Sequence, residues 1–377
     1  MRPRNLLIAS VLKPINDTRI YEKIGRTLGK ISPNEVHIIG TNSTVQGPSN
    51  FHFYPIFDAK RWSFSRLLSS WKYQKLILKV KPEVYIVSTH EFLLVTCINK
   101  ILFGGIFIYD VQENYAKNAL FGGTFPIGIR QLVALWVRTK EFLASPLIDG
   151  YLLAENCYRT ELGFLKNTPT IVLENKPAPP IKNRLNIVQF EYNIPIRFLF
   201  SGTIAESTGI FDAIRWVSQF QQLYPNTTLT IIGFCPSSFD LHQLKVASST
   251  NSFIRIIGGE TQVPHTEILS AIETHQIGLL PYRLNPATQD RVPTKLYEYL
   301  SAGLPILYTY QKTWDDLAQT YHAGLSINFQ NPPTQDLVQE LFSRSYYSSK
   351  STSDLAWEEE KLKDFFLEII QKHNFTK

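Results

Sequence analysis

The feature that most constrains this chain is an alternation that runs from end to end. Apolar runs of strand length are separated by segments patterned as helices, and one proline-rich stretch interrupts the series. In the first half the runs fall at Asn5–Leu12, Val36–Gly40, Val84–Ser88, Phe107–Val111, Tyr151–Leu153 and Thr170–Leu173. Strands that are apolar at nearly every position, with helices between them, imply parallel sheet covered on both faces. Residues 174–196, ENKPAPPIKNRLNIVQFEYNIPI, then deny a helix through their prolines, and the pattern restarts with RFLFSG, LTIIG, IRIIGG, QIGLLPY and LPILYT.

At 377 residues the chain suits two domains rather than one core. The expected fold is α/β, with two Rossmann-like domains facing across a crevice: residues 1–178, a linker over 179–195, and residues 196–352. Residues 353–377 follow as an amphipathic helix with apolar positions at Leu355, Leu362, Phe365, Phe366, Ile369 and Ile370, capped by Ser353. It is expected to pack at the domain junction.

Hydrophobic residues make up 44% and charged residues 19% of the chain, which excludes disorder. Three widely spaced cysteines, Cys97, Cys157 and Cys235, form no CxxC pair, so neither a metal site nor a disulfide framework is expected and a reducing compartment fits. The start, MRPRNLLIASVLKPIND, reads as a first strand because Lys13 and Pro14 end its apolar run without a cleavage site. Phe92–Val111 imitates a membrane span, but Lys100, Gly104-Gly105 and Asp110 divide it into a buried helix, a turn and a buried strand. The expected location is the cytoplasm.

One stretch concentrates the chemistry: DRVPTKLYEYLSAGLPILYT, residues 290–309. Pro293 suits the first turn of a short helix, and Gly303 and Pro305 stop it. In an open parallel sheet such a helix start faces the ligand crevice, and its free N–H groups favour phosphate. Arg291 and Lys295 add full charges there, with Thr294 between Pro293 and Lys295. Glu298, an acceptor-only carboxylate, can grip vicinal hydroxyls, and Asp290 can hold another. The alternative is that Lys295 and Glu298 form a solvated i,i+3 pair.

PTKLYEYLSAGLPIL, with IGLLPY ahead of it and SGT followed by GIFDAIRW earlier, resembles the donor-binding half of a GT-B glycosyltransferase of family 4 (glycosyl transferases group 1). KPINDTRIYEKIGRTL, PEVYIVSTHE and IYDVQENY resemble the acceptor half. The resemblance implies that Glu298 holds the ribose hydroxyls, that Asp290 contacts the donor sugar in place of the usual Glu, and that the Lys295 region meets the diphosphate. Asp290, Glu298 and Lys295 are thus the expected catalytic residues. Gly202, Thr203, Glu206, Arg291, Pro293 and Thr294 complete the expected donor site. The family's basic pair in the loop after the first donor-domain strand is missing: SGTIAESTGIF places Thr203 and Thr208 there. No DxD pair occurs, so metal-assisted departure of the diphosphate is not expected and no cofactor is implied.

On the acceptor side the candidates are Asp17, Arg19, His90 and Glu113. Asp17 fits an N-cap as well as an acceptor contact. Arg19 in a first helical turn is disfavoured by the dipole, which suggests a ligand or an acidic partner. His90 lies just past a strand, where a structural role is the alternative, and Gln112 stands where many relatives carry histidine. Residues 60–81, KRWSFSRLLSSWKYQKLILKVK, contain no acid. Phe64, Leu67, Leu68, Trp71 and Leu78 can share a helical face ringed by basic residues, so Arg61, Trp62, Arg66, Trp71, Lys72 and Lys75 suit an anionic membrane surface. The alternative is a core-facing helix with a solvated basic side. The net charge of +6 agrees with membrane association. No nucleic-acid module accompanies it.

The resulting expectation is a retaining, metal-independent glycosyltransferase that uses a nucleotide-diphosphate sugar and a saccharide or lipid-linked acceptor. Bacterial surface polysaccharide synthesis is its expected setting. A nucleotide-sugar epimerase of the same architecture, or a catalytically silent binder of a glycan or partner, are the alternatives.

Overall fold

The structure is a computed structural model that describes all residues except 1–3, 32–33, 44, 58–67, 124, 179–187, 193, 348–351 and 376–377. It divides into two compact units, one formed by the chain up to Asn175 together with Trp357–Lys377, the other by Lys176–Ala356.

The first unit runs β1 (Asn5–Pro14), α1 (a π-wound run Thr18–Gly25 continued by Arg26–Gly29), β2 (Glu35–Thr41), β3 (Phe51–Phe57), α2 (Ser69–Val80), β4 (Val84–Val87), α3 (Leu93–Phe103), β5 (Ile106–Val111), α4 (Tyr115–Phe121), α5 (Ile127–Ala144), β6 (Gly150–Leu153), α6 (Tyr158–Glu161) and β7 (Thr170–Val172). The seven strands pair in parallel in the order β3-β2-β1-β4-β5-β6-β7. Strand side chains alternate faces, and both faces are apolar. Leu7, Ala9, Val11, Tyr85, Phe107 and Tyr109 pack with Tyr73, Leu76 and Ile77 of α2 and Leu93 and Cys97 of α3. On the other face Leu6, Ile8, Ile38, Ile86 and Ile108 meet Ile20, Ile24 and Leu28 of α1.

β3 escapes the hydrophobic pattern because Pro55 interrupts it. Its place at the sheet edge explains why a proline is tolerated, since an edge strand need not donate to a neighbour on its outer side. Phe92–Val111 forms the expected helix, turn and strand, with Gly104 at φ 74° ending α3. The helix is not buried throughout, however: Ile98, Ile101, Leu102 and Phe103 are exposed. Strands of this sheet need cover only to the height of a helix's inner face, and the outer face of α3 is left open.

The second unit runs β8 (Ile196–Thr203), α7 (Ile210–Leu223), β9 (Thr227–Phe234), α8 (Ser238–Thr250), β10 (Ile254–Gly259), α9 (His265–Thr274), β11 (Ile277–Leu280), α10 (Thr294–Ser301), β12 (Ile306–Tyr308), α11 (Lys312–Thr320), β13 (Gly324–Ser326) and α12 (Gln335–Ser343). Its parallel sheet has the order β10-β9-β8-β11-β12-β13. Trp216 and Phe220 of α7 cover Phe198 on one face, and Leu296 and Leu300 of α10 pack with Leu199, Ile232 and Leu280 on the other. Of the proline-rich stretch, Val188 bridges Tyr346 and the Phe190 ring meets that of Phe342 edge-on, both within this unit.

The chain ends in α13 (Glu359–Phe375). Leu362, Phe365, Phe366, Ile369 and Ile370 join the core of the first unit, on the face that α1 covers. The expected cap at Ser353 falls instead in a separate short turn, Ser353–Leu355, so the helix starts later than its apolar pattern suggested.

Candidate functional site

In the second unit the strand order reverses between β8 and β11, which opens a gap at their carboxyl ends. β8 ends in Ser201-Gly202-Thr203. Gly202 takes φ 93°, and a Cβ there would collide with Cε of Lys295. A glycine is required at this point because the lysine stem lies against the strand end. The Lys295 ammonium is 4.9 Å from the centre of the Phe200 ring and 5.4 Å from that of Tyr282, the residue that follows Pro281 at the end of β11. Tyr299 fixes the helix in place: its hydroxyl accepts the Ser201 N–H at 3.1 Å and lies 2.9 Å from Ser201 Oγ. Burial raises the Tyr299 pKa, so this phenol stays neutral as a hydrogen-bonding pin.

Glu298, one turn after Lys295, is buried, and its Oε1 lies 2.8 Å from Nε2 of His265, the first residue of α9. Two helices thereby present a carboxylate, an imidazole and an ammonium at one end of one sheet. His265 was missed in the sequence; its only signal is the Pro-His pair that opens a helix after the IRIIGG strand. Pro293 stands at the cap position and Thr294 opens α10; the cap residue makes no side-chain hydrogen bond to the first-turn amides, of which the Leu296 N–H donates to the Pro293 carbonyl at 2.9 Å. Arg291 offers its carbonyl to Trp314 Nε1 at 2.7 Å, tying the preceding loop to α11. Asp290 is not drawn into the Lys295–Glu298 group: it is exposed and takes a 3.4 Å hydrogen bond from Gln289.

The loop after β8 closes on itself. Thr208 Oγ1 accepts the Ala205 N–H at 3.1 Å and donates to the Ala205 carbonyl at 2.7 Å, so Thr208 acts as a turn closer. Gly209, at φ 74°, lies where a Cβ would strike the Pro281 carbonyl, which clamps the loop against the end of β11. Thr203 is exposed. Glu206 pairs with Arg283 Nη1 at 2.6 Å, while Arg283 Nε and Nη2 meet Asp212 at 2.6 and 3.0 Å. The Arg283 hydrogen bonds hold the Asp212 carboxyl below its usual range. A cation therefore does reach this loop, from the β11 side, where the sequence showed only an arginine after LLPY.

In the first unit the order reverses between β1 and β4. Asp17 is the cap of α1, its Oδ1 accepting the N–H groups of Arg19 and Ile20 at 2.9 and 3.0 Å. The Arg19 side chain is buried, with Nη2 2.7 Å from Asp110 Oδ1 and Nη1 donating to the Leu173 carbonyl at 2.7 Å and Asn175 at 3.0 Å. The acidic partner that the dipole argument called for lies inside the same unit, on β5. His90 places Nδ1 2.7 Å from Lys140 Nζ and its ring edge-on to Tyr115. Glu113 accepts from Asn118 at 2.6 Å. Lys13, read in the sequence as the end of an apolar run and not as a site residue, sits at the end of β1: burial lowers its pKa, but the charges of Asp17 and Glu113 outweigh this and leave it raised.

Of the proposed membrane-surface residues, Arg61, Trp62 and Arg66 lie outside the described residues. Trp71 is exposed with Lys75 Nζ 3.5 Å over its ring, and Lys72 donates to the Ile56 carbonyl at 2.9 Å. Among the described residues no helix is long and apolar enough to cross a membrane, and no three His, Cys, Asp or Glu side chains converge as metal ligands.

The fold is that of the GT-B glycosyltransferases, and its likeness to solved structures extends over both units. Sucrose-phosphate synthase (tll1590) from Thermosynechococcus elongatus matches with a TM-score of 0.64 at 12% identity, covering 100% of this chain and 98% of that one. WaaG, a glycosyltransferase involved in lipopolysaccharide biosynthesis, matches with a TM-score of 0.63 at 11% identity over 95% and 93% of the two chains. Anabaena HepE, solved in complex with UDP and glucose, matches with a TM-score of 0.57 at 9% identity over 99% and 98%. No family model matches the sequence, and neither does any curated protein.

Proposed function

We propose that this protein is a retaining glycosyltransferase whose second unit holds a nucleotide-diphosphate sugar. The observation that carries the reading is the placement of Lys295 against Gly202, one turn from the buried Glu298, at the reversal point of a parallel sheet. Lys295 and the first-turn amides of α10 offer charge and N–H groups to a diphosphate. Glu298, oriented by His265, accepts two ribose hydroxyls. Asp290, at the mouth of the loop, meets the donor sugar.

In this mechanism the bond between the anomeric carbon and the phosphate oxygen breaks while the acceptor oxygen bonds to the same face. The acceptor's proton passes to the departing phosphate oxygen, so no protein base is needed and configuration is retained. The protein contributes position and charge stabilisation, with the lysine and amides neutralising the diphosphate without a metal ion. Asp17, His90 and Glu113 are assigned to the acceptor, a saccharide or lipid-linked saccharide at the inner face of the plasma membrane. Surface polysaccharide synthesis in a bacterium is the setting this chemistry fits.

A second reading, a silent binding protein, draws on Thr208 and Glu206: one spends its hydroxyl within the loop, and the other neutralises Arg283. Calorimetric titration with UDP, GDP and their sugar conjugates separates the two. Saturable binding that is lost in Glu298→Ala supports the donor site; no binding by the folded protein refutes it and leaves the silent scaffold. A bound donor that yields a free epimer instead of a glycoside would assign epimerase chemistry.

A further inference from the structure

α5 buries one face, through Ala134, Val137, Lys140, Glu141 and Ala144, and so has already met the needs of the fold. Its opposite face is nevertheless apolar. Leu132, Leu135, Trp136 and Phe142 recur at helical spacing and are 66%, 65%, 56% and 58% exposed. The neighbouring α3 adds Ile101 and Phe103, 69% and 64% exposed. Apolar area of this extent on adjoining helices marks an interaction surface, since scattered single residues would need no explanation.

The charge around it identifies the occupant. Helices α2, α3 and α5 carry Lys72, Lys75, Lys79 and Arg130 beside Lys100, whose charge is met by Asp149, while their single acid, Glu141, is buried. α2 lies beside α3, joined by Gln74–Asn99 hydrogen bonds of 3.1 and 2.5 Å and by Tyr73–Thr96 at 3.0 Å. Trp71 is exposed on α2, and Lys166 sits 5.2 Å from the Phe142 ring. Symmetric pairing of two copies through this face would set lysine against lysine. An anionic lipid surface offers the opposite charge together with an apolar layer for the aromatic and aliphatic side chains.

We infer that the outer faces of α3 and α5 are the surface by which the protein lies on an anionic bilayer leaflet, with α2 as a basic flank. The inference rests on the membrane setting proposed above and relocates the contact from α2, where the sequence alone would put it. It does not depend on the donor site.

The test is cosedimentation of the full chain with vesicles of phosphatidylcholine alone or mixed with phosphatidylglycerol. Binding to the mixed vesicles, reduced about tenfold or more in Leu132→Asp/Trp136→Asp with UDP affinity unchanged, is the expected result. Since both side chains are exposed, a thermal melt of the variant should overlay the wild type. Wild-type protein that binds neither vesicle overturns the inference. So does a variant that binds like wild type while Trp71→Ser does not, because the contact would then belong to α2. Self-association lost in the variant, with no vesicle binding, assigns the face to a second copy. Vesicle binding without UDP binding would sink the donor site and leave this surface standing.

Discussion

Replacing Lys295 by Met removes one charge and keeps most of the stem that packs on Gly202, Phe200 and Tyr282. Two unit charges 4 Å apart interact by about 4 kcal/mol at an effective dielectric constant of 20, before the desolvation of the partners is subtracted. A charge-assisted hydrogen bond retains a net of about 1.5–3 kcal/mol, which is roughly a 10- to 150-fold loss of affinity. The stability cost should be small, about 0.5–1 kcal/mol, because only the ammonium–ring attraction is lost. UDP and UMP would be titrated calorimetrically into wild type and Lys295→Met. UDP affinity should drop into that range, UMP affinity should fall less, and the UDP loss should shrink as salt is raised. If UDP binding stayed within about twofold of wild type, or UMP lost as much as UDP, Lys295 would not be meeting the diphosphate.

Arg19→Met strands the buried Asp110 carboxylate and should cost about 3–5 kcal/mol in urea unfolding, with Asp110→Asn added to it restoring part of the loss. His37, stacked on His52 and hydrogen-bonded to Tyr54, has its pKa lowered to about 4 by burial and the neighbouring charge. As pH falls from about 6.5 to about 4 the unfolded chain therefore gains a proton that the folded one refuses, and stability drops across that window. His37→Gln should flatten this part of the acid limb, and an unchanged slope would argue that other groups carry it. Burial raises the Glu141 pKa from 4.5 to about 7 against the pull of Arg138 and Tyr109, so stability falls as pH rises through that interval. Glu141→Gln should unfold at higher denaturant than wild type near pH ~8 and match it near pH ~4.5; the opposite ranking would mean that the Arg138 pair outweighs desolvation.

What the sequence determined by itself was everything that depends on neighbours along the chain. Near-continuous apolar runs of strand length placed the strands, the helix between Pro293 and Gly303 was legible from its ends, and the restart after residue 196 divided the chain. β13 has only three residues and β3 carries a proline, so neither shows a strand's local pattern; both exist because an adjacent strand offers them a partner. Lys295 and Glu298 were legible as a pair at helical spacing, whereas the partners that orient them were not.

Those partners were decided by tertiary structure. Arg19 finds Asp110 91 residues away because β1 and β5 flank β4, and His265 finds Glu298 33 residues away because α9 and α10 cover one sheet face. Arg283 reaches the β8 loop because β11 lies beside β8. Leu132 and Val137 look alike in a sequence, yet one faces out and the other in, since which side of a helix meets the sheet is set by the elements packed around it. Hydrophobic pattern is a local property of the chain, whereas ion pairs, orienting hydrogen bonds and uncovered faces arise only when strand order brings distant residues within a few ångströms.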